Sequence, residues 1–119
     1  GITPVPDLSD AQVVLVDGHH PALALAATRA AADRGLPIVV DAGSHKPVFD
    51  GLFVLASDVL CSADYLHPGG LEASALLGLG PQLVAVSHGA DPLQWWWLAT
   101  RDAWQAGRCE RLQPLRGRR

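Results

Sequence analysis

Hydrophobic residues in this chain gather into short, unbroken runs, and each run halts at a polar residue. Val13-Val14-Leu15-Val16 stops at Asp17, Ile38-Val39-Val40 at Asp41, and Leu83-Val84-Ala85-Val86 at Ser87-His88-Gly89. Val59-Leu60-Cys61 leads into Ser62-Ala63-Asp64. Runs this short, rich in Val and Ile and lacking polar alternation, predict strands buried on both faces, the habit of a parallel sheet. Strands are expected over 12–17, 38–41, 58–62 and 82–87. Between the first two, Pro21 opens an Ala-rich stretch that predicts a helix over 22–34, stopped by Gly35 with Pro37 just beyond. Short helices are expected over 49–55 and 71–77. The first βαβ crossover should be right-handed.

After Gly89 the pattern changes. The segment 93–99 holds Trp95-Trp96-Trp97 and reads as a strand, with a second strand over 103–106 after a turn at Arg101-Asp102. The fold expected is therefore three-layer α/β, with a central parallel sheet and a C-terminal antiparallel hairpin. Residues 1–107 make up this domain, and 108–119 form a basic irregular tail. In open α/β sheets the ligand lies beyond the carboxyl ends of the strands. The four strand endings line up as one candidate edge, and three of them supply an Asp.

Bulk composition narrows the class. A length of 119 residues bounds the chain to one domain, and a hydrophobic content of 49% suffices for an ordinary core. The net charge of −3 argues against a nucleic-acid partner and against disorder. The charge is uneven: ten acids face three bases up to Thr100, and six Arg face Asp102 and Glu110 beyond it. A solvated basic terminus is preferred to an anionic partner. Cys61 and Cys109 show no metal spacing, so reduced thiols and a cytoplasmic location are expected. No apolar run is long enough for a bilayer, and no signal peptide is expected from the opening residues. The chain has no Met, which fits an excised piece.

Several residues offer chemistry. Asp17, Asp41 and Asp64 suit metal, proton or hydroxyl binding, although polar residues at strand ends also serve simply as caps. The loop Gly43-Ser44-His45-Lys46 brings amides, a hydroxyl and a cation together after a strand, a combination that suits phosphate. Its plainer reading is a surface loop. Ser87-His88-Gly89 permits close backbone approach to a ligand, and nothing marks Ser87 as a nucleophile. The histidines lack zinc-type spacing. The Trp triplet must split between two sheet faces, for an interface or for packing under the hairpin. No G-x-G-x-x-G follows a strand, which disfavours a dinucleotide.

The order of these motifs resembles the middle of PfkB-type, ribokinase-like carbohydrate kinases over roughly residues 8–97. The carrying segments are Val13 to Asp17 with the Ala-rich helix, Gly35-Leu36-Pro37-Ile38-Val39-Val40-Asp41, Ser57-Asp58-Val59-Leu60-Cys61-Ser62-Ala63-Asp64, and Leu79-Gly80-Pro81-Gln82 through Gly89. Asp41-Ala42-Gly43-Ser44-His45-Lys46-Pro47 and Cys61-Ser62-Ala63-Asp64 look like the bacterial, ketohexokinase-like branch. The resemblance implies an incomplete ribokinase-like (Rossmann-like) sheet. It also implies transfer of a phosphoryl group from ATP, with Mg2+, to a sugar hydroxyl. By position, Lys46 falls where the family places a basic residue near the phosphates. Ser87 and Gly89 match its nucleotide-contacting hydroxyl and glycine. Asp64 falls in its metal-associated segment.

Departures accompany the likeness. Ala63 stands for an Asn of that segment and Leu66 for a Glu. The chain has no Gly-Ala-Gly-Asp run, which in the family supplies the catalytic base, and it lacks the sugar-holding strands and glycine pair. The expectation is a kinase fragment, inactive alone, with nucleotide and sugar as ligands in the full enzyme and a homodimer or the remainder of the domain as protein partner. Neither nucleic acid nor membrane is expected. A non-catalytic nucleotide, phosphate or protein-binding module is the alternative. A different Rossmann-like enzyme using Asp17 and Asp41 is a weaker one.

Overall fold

A computed structural model describes residues 5–100 and 103–109. Its sheet has six strands: β1 (Val14–Val16), β2 (Ile38–Ala42), β3 (Asp58–Cys61), β4 (Leu83–His88), β5 (Asp91–Thr100) and β6 (Ala103–Cys109). They lie side by side in sequence order, β1 to β4 parallel and β5 and β6 antiparallel to their predecessors. The connections are helix α1 (Pro21–Asp33), helix α2 (Phe49–Phe53) and a 3-10 helix, Ala73–Leu79. The α/β class and the terminal hairpin agree with expectation. β6 runs on to Cys109 and so takes in the first two residues of the expected tail; residues 110–119 lie outside the described residues.

Helix α1 shows how local chemistry sets the elements. Pro21 sits in its first turn, where an amide would have no helical acceptor. At the other end Gly35 takes φ 69°, and the amides of Gly35 and Leu36 donate to the carbonyls of Ala32 and Ala31. This is the Schellman arrangement, which supplies partners to carbonyls that the helix leaves over. Ala24, Ala27, Thr28 and Ala31 form the buried stripe. Small side chains at that spacing let the helix lie close to the sheet.

The core fills one face of the sheet. Val16, Ile38, Val40, Val59, Cys61 and Val84 point into it from the strands, and Phe49, Leu52, Phe53 and Leu76 cover them from α2 and the 3-10 helix. The opposite face is open. Leu15 is 66% exposed, Leu60 40% and Trp97 41%. Burial on both faces, expected from the unbroken apolar runs, holds at Val84, Ala85 and Val86 of β4 and is corrected for β1 and β3, where Leu15 and Leu60 are exposed. Of three expected layers the described residues supply two, because all three connections pack on the same side.

At the amino ends of the strands, the Ser57 hydroxyl accepts the Ile38 amide and donates to the Ile38 carbonyl, each at 2.8 Å. The Ser57 carbonyl accepts from the amides of Gln82 and Leu83. One residue thus ties β2, β3 and β4 together far from the carboxyl edge. The Trp triplet divides between faces. Trp96 pairs with Val84 and packs toward the core, whereas Trp95 pairs with Ala85 and Trp97 with Leu83 on the open face. Trp95 lies flat over Gly107, where an added Cβ would collide with its ring.

Candidate functional site

The carboxyl ends of β1 to β4 form one row, in the order of the strands. After β1, the Asp17 carboxylate accepts the His19 amide at 2.9 Å. That bond holds the carboxyl below its ordinary range against a smaller opposing effect of burial, with help from the charges of His19 and Lys46. The His19 ring stands 3.4 Å from the same carboxylate. Asp17 thus builds its own turn, the plainer of its two expected roles.

Gly18, buried in that turn at φ 79°, lets α2 approach. A Cβ there would meet Phe49 Cε1 at 2.9 Å, the Lys46 stem at 3.1 Å and Val48 Cγ1 at 3.2 Å. Lys46 therefore lies along the β1 turn, with its ammonium 5.6 Å from the centre of the Phe49 ring. The loop before it is exposed at Gly43 and Ser44. Among the described residues, the amides of Gly43, Ser44 and His45 make no backbone hydrogen bond. Free amides beside a cation are the donor set that a phosphate group accepts from.

The loop after β3 reaches across to this one. Ser62 Oγ donates to the Gly43 carbonyl at 2.8 Å, and the Tyr65 hydroxyl is 3.1 Å from His45 Nδ1. Tyr65 also packs on Phe49 and Phe53. Burial foremost, and then Cys61 and Asp50, push its hydroxyl up to about 12. Burial, with Asp41 adding to it, likewise pushes the Cys61 thiol up to about 11, so the sulfur is a packing group and not a nucleophile. Asp64 is exposed beyond β3. Asp41 is exposed on β2, beside Leu60.

After β4 the register slips between Val86 and His88, which leaves Ser87 exposed at a bulge. His88 Nε2 bonds Gln94 Oε1 at 3.0 Å across the hairpin. Gly89 and Ala90 make the two-residue turn, with Gly89 at φ 64°. A first turn residue at positive φ is what a tight hairpin demands, so the fold itself accounts for this glycine.

Lys46, Asp64, Ser87 and Gly89 thus share one edge, on three adjacent strands. They do not converge on a common point: Lys46 leans toward β1, away from Ser87. Among the described residues, no three His, Cys, Asp or Glu side chains stand close enough to hold a metal. A separate groove of about 420 Å3 runs beside β1, lined by Leu8, Leu15, Leu23 and Ala27 with Asp17, Asp41 and His20 at its polar end. The sequence marked Ser62 only as a strand ending and Gly18 only as part of a turn, and it gave Tyr65 no role. Gly18 had a signal in its place after a strand; Tyr65 had none.

No protein-family model and no curated protein matches the sequence. Solved structures do match the fold. A microbiome-derived acarbose kinase, Mak1, superposes with a TM-score of 0.66 at 18% identity, covering 87% of this chain and 35% of its own. A PfkB protein from Polaromonas sp. JS666 superposes with a TM-score of 0.61 at 21% identity, covering 86% of this chain and 41% of its own. The chain therefore shares an α/β fold with part of each of these two structures, and it spans less than half the length of either.

Proposed function

We propose that this chain is part of an ATP-dependent, PfkB-type carbohydrate kinase, of the ketohexokinase-like branch, and that it contributes the nucleotide-facing edge of the sheet. The observation that carries the reading is the match of 87% of the chain to an acarbose kinase, together with the placing of this chain's polar loops on one carboxyl edge. The Gly43–Lys46 loop fits a phosphate: its amides are available and its one cation is held by packing at Gly18 and Phe49. Bound ATP supplies the phosphoryl group that passes to a sugar hydroxyl. Lys46 offsets the charge of the phosphates, and the exposed Ser87 hydroxyl and the Gly89 turn meet the nucleotide. Catalysis in such transfers rests on positioning and charge stabilisation. The described residues do not fit Mg2+ as an ion held by protein ligands alone, since no three His, Cys, Asp or Glu side chains among them come together. The base and the sugar-binding strands belong to other segments of the enzyme.

Titration with a non-hydrolysable ATP analogue tests this. The chain is expected to bind it without turning ATP over, and Lys46→Ala to weaken binding about tenfold or more, the scale of a lost charged contact to phosphate. Absence of binding sinks the kinase reading and favours an interaction module. That second reading has its own observation, the exposed apolar face bearing Leu15, Leu60 and Trp97.

A further inference from the structure

The loop after β2 is not left to its own short-range geometry. Two hydrogen bonds cross to it from the loop after β3, one at each end: Ser62 Oγ to the Gly43 carbonyl at 2.8 Å, and the Tyr65 hydroxyl with His45 Nδ1 at 3.1 Å. The bracing residues are themselves fixed. The Tyr65 amide donates to the Ser62 carbonyl, so both stand in one turn, and the Ser62 amide donates to the Ala42 carbonyl at the end of β2. The Tyr65 ring rests on Phe49 and Phe53, and Phe49 carries the Lys46 ammonium on its face.

We infer that Ser62 and Tyr65 are positioning residues that hold the Gly43–Lys46 loop in the shape that takes a phosphate group. Neither has to touch the ligand. Ser62 fixes the carbonyl of Gly43, which sets the direction of the peptide carrying the Ser44 amide. Tyr65 fixes the His45 ring at the far end, and through Phe49 it supports Lys46. The Tyr65 hydroxyl and His45 Nδ1 share one hydrogen bond at 3.1 Å, and with it the His45 ring is held in a single orientation beside the loop. A loop ordered in advance binds more tightly, because ordering it costs nothing at the moment of binding.

The nature of the anion rests on the kinase reading; the bracing rests on geometry alone. The test uses the chain with Tyr65→Phe, which keeps the ring packing, and Ser62→Ala, with Ser62→Thr as the rescue. Three quantities are read: the 15N shifts of the His45 ring, the backbone order parameters of residues 43–45, and the dissociation constant for a non-hydrolysable ATP analogue. In Tyr65→Phe the Nδ1 shift is expected to leave its hydrogen-bonded position. In both variants the order parameters fall and binding weakens about three- to tenfold, the range of one hydrogen bond. Ser62→Thr restores both. Shifts and order parameters that stay at wild-type values overturn the bracing. Undiminished binding in both variants overturns the positioning role. A wild-type chain that binds no analogue overturns the kinase reading and the role toward phosphate, while the shifts and order parameters still decide the bracing.

Discussion

Single residues carry unequal weight here, and Thr28 is the odd one. It sits wholly buried on the sheet side of α1, and its hydroxyl has no hydrogen-bond partner among the described residues. A buried polar group without a partner costs about 1–3 kcal/mol. Val has nearly the same shape and no hydroxyl. Thr28→Val is therefore expected to raise stability by about 1 kcal/mol, seen as a higher urea midpoint with an unchanged slope. A lower midpoint would mean that the hydroxyl does have a partner. Ser57 is the opposite case, a hydroxyl with both its donor and its acceptor roles filled by Ile38. The residues at the carboxyl edge were partly legible from sequence. Lys46 and Ser87 stood out because a cation and a hydroxyl followed apolar runs. Tyr65 did not, because its role depends on a loop twenty residues away that only the parallel pairing of β2 and β3 brings alongside.

Elements were legible where local chemistry alone decides them. The Val and Ile runs became β1 to β4, and Pro21 and Gly35 bounded α1 within a residue of expectation. The expected helix over 71–77 appears as a 3-10 helix shifted to Ala73–Leu79, because Glu72 before it is extended, at ψ 160°. β1 is only three residues long against an expected six, since Gln12 and Val13 precede the pairing with Ile38. The hairpin of β5 and β6 carries its own device. Trp95 shields Gly107, which gives an otherwise weak strand position a packed surface. Any side chain at 107 displaces that ring. Gly107→Val is expected to destabilise the hairpin by about 1–3 kcal/mol, the usual cost of overpacking. It should also move the Trp fluorescence maximum toward that of exposed indole. An unmoved maximum would show that Trp95 does not rest there.

At the scale of the whole molecule, the described chain is a sheet with one covered face. Sequence could not show this. Apolar runs announce strands, but the side a right-handed crossover takes follows from the order of the strands in the sheet, and that order is not written in the runs. Leu15 and Leu60 lie on the open face with Trp97, and exposed apolar side chains of this size recruit hydrophobic dyes. The chain is expected to enhance the fluorescence of anilinonaphthalene sulfonate. The double variant Leu15→Lys with Leu60→Lys should lose most of that signal while its far-ultraviolet spectrum is unchanged. A wild-type chain that leaves the dye dark would show the face to be covered in solution.

The strand order has a consequence in time as well as in space. Every strand of the sheet pairs with the one made just before it, from β1 through β6. Each pairing closes a loop of modest length, whose entropic cost grows only slowly with the number of residues spanned. No strand has to wait for a partner synthesised later than its own successor. A chain leaving the ribosome can therefore lay down this sheet one strand at a time, in the order in which it is translated.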